Sequence, residues 1–178
     1  TTMTASNPLS LNGSGINAGG ALINASNTTA TYVGLITLGS DSSIVADNGA
    51  IVLSNTGTLT GAGKALSLGG STGGTLASII GTGAGTLTKQ DGGTWTLTGA
   101  SSYTGVTTLN GGVLSVSTLA NGGVNSNIGA SSNAASNLVL NGGTLRYTGA
   151  AQSLDRLFSL GVQGGALDAS GTGALNFT

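Results

Sequence analysis

The sequence predicts an all-β chain wound as a right-handed parallel β-helix, a β-solenoid of about eight coils. Three observations carry that prediction. A Gly-Gly anchor recurs six times, at Gly19–Leu22, Gly73–Leu76, Gly92–Trp95, Gly111–Leu114, Gly142–Leu145 and Gly164–Leu167. The last five anchors start 19, 19, 31 and 22 residues apart, which is near one coil length of a solenoid. After the anchors the side chains alternate with period two and are rich in Thr, Val and Leu, the signature of a half-buried strand. A sandwich would place turns every 8–12 or so residues without a fixed longer repeat.

Along the chain, the 54 residues between the first two anchors hold Gly34-Leu35-Ile36-Thr37-Leu38 and Gly49-Ala50-Ile51-Val52-Leu53, read as coils with degraded anchors. In Gly92–Gly99, Trp95 and Leu97 share one face and Thr94, Thr96 and Thr98 the other. Leu114 and Val116 oppose Val113, Ser115 and Ser117, and Leu145 and Tyr147 oppose Thr144, Arg146 and Thr148. Further strands are expected around Leu35–Leu38, Ile51–Leu53, Leu66–Leu68, Thr86–Thr88, Thr107–Leu109 and Leu138–Leu140, and Ala174–Phe177 reads as a strand cut off before its turn. Five Asn-Gly pairs, starting at Asn12, Asn48, Asn110, Asn121 and Asn141, supply turns that need positive φ. The step of 31 residues contains Leu119–Ser136, rich in Asn, Ser, Ala and Gly, which is expected to project from one coil as a solvated loop. The whole chain, residues 1–178, is read as a single β-helical segment of a longer exported protein, with that loop excursion at 119–136.

Composition narrows the function. With 34 Gly but a single Pro, the chain is neither collagen-like nor a Pro-rich linker. Charged residues make up 5% and the net charge is −1, so no field attracts nucleic acid or an acidic membrane. The four cations Lys64, Lys89, Arg146 and Arg156 are scattered along the sequence. Cysteine and histidine are absent, which removes disulfides, Cys-based zinc sites and the commonest general base. No apolar run is long enough for a transmembrane helix, and Thr1-Thr2-Met3-Thr4 lacks the basic and apolar regions of a leader. An export signal or membrane anchor is therefore expected outside this stretch.

The run GTLTKQDGGTWTLTGASSYTGVTTLNGGVLSVS, Gly85–Ser117, brings several spaced features together in order. Gly85-Thr86-Leu87-Thr88-Lys89, then Gly93-Thr94-Trp95-Thr96-Leu97, Tyr103-Thr104-Gly105 and Gly111-Gly112-x-Leu114-x-Val116 resemble the autotransporter-associated β-strand repeat, also called the passenger-associated transport repeat. Asn137–Thr178 resembles, more weakly, segments that neighbour such repeats. The resemblance implies a passenger of the type V secretion pathway of Gram-negative bacteria: a β-helical stalk displayed at the cell surface or secreted, with a C-terminal outer-membrane barrel elsewhere in the full chain. It carries no catalytic residues over.

Individual side chains are weighed against that background. Trp95 and Tyr103 would make a sugar-stacking platform if exposed, but Trp95 occupies the inward position of its anchor and Tyr103 reads as a corner plug. Tyr147 is inward by alternation. The carboxylates Asp41, Asp47, Asp91, Asp155 and Asp168 are spread out, whereas a glycan lyase or hydrolase needs acids that converge. Asp41 and Asp47 could approach each other across a short turn, and Lys89 and Asp91 are expected on one solvent-exposed rim as a weak pair. Arg146 and Asp168 occupy the same slot after successive anchors, so stacked coils should set them side by side, within about 10 Å, on neighbouring strands about 4.8 Å apart.

No catalytic, cofactor-binding or metal-ligating residue is expected, no cofactor, and no enzymatic activity. The leading function is a structural stalk supporting export, surface display and adhesion, extracellular or attached to the outer membrane. One alternative is a self-associating module of an extracellular fibre or sheath, joined end to end through exposed coil edges. Another is a glycan-binding or glycan-active β-helix meeting a host or glycan surface. Neither nucleic-acid binding nor membrane insertion is expected of this segment.

Overall fold

The computed structural model describes residues 2–3 and 6–178. The N-terminal stretch read above for a leader therefore lies partly outside the described residues. Short parallel strands wind into a helix with three faces. The first face is an eight-stranded parallel sheet, with strands at Thr2–Met3, Ala30–Tyr32, Ile51–Leu53, Gly73–Leu76, Thr94–Leu97, Val113–Val116, Thr144–Tyr147 and Ala166–Ala169. The third face runs through Leu22–Asn24, the end of the long strand Ile36–Ala46, Leu66–Gly69, Leu87–Lys89, Thr107–Leu109, Leu138–Leu140 and Ser159–Leu160. Between them, the second face carries Leu9–Gly13, the start of Ile36–Ala46, Thr58–Thr60 and Ile79–Gly81. Among the described residues, seven coils and two strands of an eighth result, a rod of about 35 Å at the usual strand spacing.

The strands form because period-two alternation places one residue of each pair in the core, where equivalent residues stack in columns. On the first face, Ala30, Ile51, Gly74, Trp95, Leu114, Leu145 and Leu167 make one column. Tyr32, Leu53, Leu76, Leu97, Val116, Tyr147 and Ala169 make the other. Each fully buried leucine contributes about 1.5–3 kcal/mol of apolar burial. The first column sets its smallest member, Gly74, directly beneath its largest, Trp95, which keeps the core volume even.

The anchors stack less uniformly than their spacing suggests. Those at Gly92, Gly111, Gly142 and Gly164 share one register, with Trp95 opposite Leu114, Leu114 opposite Leu145, and Leu145 opposite Leu167. The anchor at Gly73 is offset by two residues, because Leu76 pairs with Leu97 rather than with Trp95. The anchor at Gly19 leads into the third face, where Leu22 pairs with Ile44. Gly-Gly pairs serve more than one corner, so the motif marks turns without marking which turn. The Asn-Gly pairs behave similarly: Gly13 and Gly142 adopt positive φ directly after their Asn, whereas at Asn110 and Asn121 it is the second glycine, Gly112 or Gly123.

The expected neighbours Arg146 and Asp168 are register partners, and Arg146 Nε donates to Asp168 Oδ2 at 2.7 Å. The Ser170 hydroxyl, and then Arg146, hold the Asp168 carboxyl below the usual carboxylate range.

The second face is interrupted. In the fifth coil, Ser102 N and Tyr103 N both donate to Ile80 O, at 3.0 and 3.2 Å, without extending the strand ladder. In the sixth coil the segment between Val116 and Leu138 takes the place of a strand. The face resumes as a separate two-stranded sheet, Gln152–Leu154 with Leu175–Phe177.

Candidate functional site

Apart from the Arg146–Asp168 pair on the outside of the first face, the chemically distinctive side chains lie mostly inside the rod or at its corners. On the third face, Lys89 falls in a column otherwise built of Leu22, Ile44, Leu68, Leu109, Leu140 and Leu160. It is 0% exposed. Its ammonium leaves the column at the corner and donates to three carbonyls, Gln90 O at 2.6 Å, Asp91 O at 2.7 Å and Gly111 O at 3.1 Å. The expected rim pair with Asp91 is therefore replaced by a buried cap on the turns of two successive coils. Asp91 itself sits at φ 61, and its carboxylate accepts from Gly70 N at 2.8 Å in the coil below. A carboxylate bonded to a backbone amide and an ammonium bonded to carbonyls both fix corners; neither faces a substrate-sized space.

The aromatics follow the same logic. Trp95 and Tyr103 are both 0% exposed, so neither forms a sugar platform. Trp95 Nε1 donates to Gly69 O at 3.0 Å. Tyr103 plugs its corner as expected, with its hydroxyl 2.7 Å from Thr107 Oγ1. Tyr147 is also buried, its hydroxyl donating to Ala150 O at 2.7 Å.

These burials have an alkaline signature. Burial pulls the Lys89 ammonium from its ordinary 10.5 down to about 8, against the opposing charge of Asp91. Between those values the unfolded chain binds more protons than the folded one, so stability rises with pH through that window. Burial pushes the Tyr103 hydroxyl above the ordinary 10.0, with the Thr107 hydrogen bond and the Arg156 charge opposing the shift. Above about pH 10 the unfolded chain releases this proton while the folded chain keeps it, so stability falls. Urea midpoints measured from neutral to strongly alkaline pH should therefore rise and then decline. Lys89→Met should abolish the rise, and Tyr103→Phe the part of the decline due to this hydroxyl.

The segment 117–137 forms the second concentration of polar groups. It is packed rather than projecting: Leu119, Ser126, Asn127, Ile128 and Ser131 are all buried. Ile128 supplies the apolar filling that a strand would have supplied, and Ala130 N donates to Tyr103 O at 2.7 Å. Asn127 ties the entry corner, accepting from Ser117 N and Thr118 N at 3.0 and 2.8 Å while donating to Gly99 O at 3.0 Å. From the following coil comes Arg156, 1% exposed, whose guanidinium donates to Ala120 O, Ile128 O, Gly129 O and both oxygens of Ser131 at 3.1–3.4 Å. Burial lowers the pKa of this guanidinium, with Tyr103 and Asp155 opposing. Asp155 accepts from Gly122 N at 2.8 Å and from Asn133 Nδ2 at 3.2 Å. Sequence reasoning placed Lys89 on an exposed rim and gave Arg156 no role, whereas both are buried.

The remaining carboxylates do not converge. Asp41 and Asp47 flank the extended stretch 42–46 instead of meeting across a turn, which separates them by about 20 Å of strand. Asp41 Oδ1 accepts from Ala65 N at 2.9 Å in the next coil. Among the described residues, no group of three or more His, Cys, Asp or Glu side chains is placed to hold a metal ion. A shallow depression lined by Leu22, Ile23, Ala30, Thr31, Tyr32 and Ile51 is apolar and carries no carboxylate or amine. No helix among the described residues is long and apolar enough to cross a membrane.

The passenger-associated-transport-repeat family matches residues 87–116. This chain carries a passenger-associated transport repeat. The repeat spans about one and a half coils here, from Leu87 on the third face to Val116 on the first. It contains Lys89 and Trp95, whose side chains bond to neighbouring coils, and Tyr103, whose backbone does. Outside the repeat the likeness continues. Over 162 residues, 90% of this chain, the sequence is 46% identical to the adhesin BmaC autotransporter of Brucella suis biovar 1 (strain 1330). The chain spans only 5% of the length of that relative. No solved structure matches the chain.

Proposed function

We infer that this chain is a stalk segment of an autotransporter-type passenger, a rod that holds other parts of a surface protein away from the cell. The observation that carries this reading is where the chemistry lies: Lys89, Trp95, Tyr103 and Arg156 are all buried, and they bond to neighbouring coils, Tyr103 through its backbone and the others through their side chains. A repeat that uses its reactive groups for cohesion has a mechanical role, and the likeness to an autotransporter adhesin supports display at the cell surface. The outer face of the rod is rich in Ser and Thr with few charges, as suits a solvated spacer.

On this reading the segment is non-enzymatic, the full chain carries an outer-membrane barrel elsewhere, and adhesion to a host or glycan surface belongs to the whole protein. The test is to place an epitope tag between the exposed residues Val124 and Asn125 of the full-length protein in its own host and to label intact cells. Antibody should reach the tag without permeabilisation, and labelling should disappear after external protease treatment. Labelling only after permeabilisation would overturn the assignment.

A further inference from the structure

Stacking in a solenoid normally needs one finished neighbour: each new strand finds its backbone partners on the coil beneath it. The sixth coil departs from this rule. Its second face has no strand, and the plug 117–137 that replaces the strand takes its partners from both sides. The coil beneath supplies Gly99 O, Ser101 and Tyr103 O, with Ser101 and Ser126 forming an isolated antiparallel bridge. The coil above supplies more. Gln152 exchanges two hydrogen bonds with the backbone of Leu119, Asn121 Oδ1 accepts from Asp155 N at 3.1 Å, and Leu157 N donates to Asn133 O at 3.0 Å. Asp155 and Arg156 complete this set.

The dependence is reciprocal. The hydrogen-bond acceptors of the Arg156 guanidinium all lie in the plug. Without the plug, coil seven would bury a cation with no acceptors, a strongly unfavourable arrangement. Without coil seven, the plug would hold a core residue, Ile128, over Tyr103 while the amide of Gly122 and both backbone groups of Leu119 lost their partners.

We propose that the plug and the latch residues Gln152, Asp155 and Arg156 form a folding gate: coils six and seven close in one cooperative step, whereas coils two to five build by nearest-neighbour stacking. Stacking that starts in coils two to five halts at the edge of Tyr103 until the plug and Arg156 are in place together. The gate thereby divides a repeat rod into two cooperative units at a fixed place.

Pulsed hydrogen exchange read by mass spectrometry, during refolding of the 178-residue chain from urea, tests this order. Peptides covering 119–136 and 150–160 should gain protection in the same phase, after those covering 51–97. At equilibrium, Arg156→Met should reduce protection of both peptides at least tenfold and leave 51–97 unchanged. Should that variant not fold, Arg156→Lys, which keeps the charge but loses the fork, should show the same pattern in weaker form. The proposal is overturned if 119–136 becomes protected before 150–160. It is equally overturned if either Arg156 variant folds with both peptides as protected as in the natural chain, or if protection falls evenly over the whole rod.

Discussion

Trp95→Ala is expected to destabilise the chain by about 3–5 kcal/mol, the usual cost of emptying a buried aromatic site. The indole is 0% exposed and stands between Gly74 and Leu114 in a column where the residue below has no side chain to relax into the void. Its loss also removes the donor to Gly69 O, leaving that carbonyl to find another partner. Trp95→Phe keeps much of the volume and isolates the hydrogen bond, so its cost should be near the about 1 kcal/mol typical of one such bond plus a modest packing loss. Urea unfolding followed by circular dichroism measures both. An alanine variant within about 0.5 kcal/mol of the natural chain would show that the indole does not support the core.

The second large effect concerns two glycines that look alike in sequence. Gly73→Ala should cost about 3 kcal/mol or more and loosen the junction between the fourth and fifth coils. Gly73 has φ +90, and a Cβ there would lie 1.9 Å from Thr94 O, a backbone atom of the adjacent strand. Gly92, the first glycine of the next anchor, is exposed, has no left-handed φ, and a Cβ there would meet nothing within 4 Å. Gly92→Ala should be neutral or stabilising by about 0.4–1 kcal/mol, through reduced freedom of the unfolded chain. Equal effects of the two substitutions would mean that the register between Gly73 and Thr94 is wrong.

That contrast shows what was legible in the sequence and what was not. Alternation located the first-face strands from Ile51–Leu53 onward, and Leu66–Gly69, Leu87–Lys89, Thr107–Leu109 and Leu138–Leu140 on the third face, to within a residue or so, because each buries one side and exposes the other; Ala30–Tyr32 went unread. The second face was harder to see: Thr58–Thr60 and Ile79–Gly81 each contribute a single buried side chain, Leu59 or Ile80, too little for a periodic signal. The anchor at Gly73 misled because Ser67–Leu76 contains two Gly-Gly pairs, and strand pairing sets Gly73 opposite Thr94, so that neither pair lies beneath Gly92-Gly93.

Lys89 was readable in principle. Alternation through Leu87-Thr88-Lys89 places it inward with Leu87, but its charge argued for the rim until the three corner carbonyls were seen. Arg156 follows Leu154 by two residues and is inward on the same rule. Its acceptors come from a loop between 25 and 36 residues earlier, and no local pattern announces them. For the same reason the segment 119–136 read as solvated: its composition is that of a loop, and its packing depends on side chains of the following coil.

The central claim, that coils stack in parallel with equivalent residues in register, can be tested most directly with paired cysteines, since the natural chain has none. Thr37 and Thr60 are register partners on the outside of the second face, with their hydroxyl oxygens 3.1 Å apart. Thr58 is equally exposed but two residues out of register, about 8 Å from Thr37 between Cα atoms. Under mild oxidation the Thr37→Cys/Thr60→Cys pair should close to a disulfide and the Thr37→Cys/Thr58→Cys pair should stay reduced. Closure of the second pair in preference to the first, or equal closure of both, would contradict the register and with it the stacked-coil account.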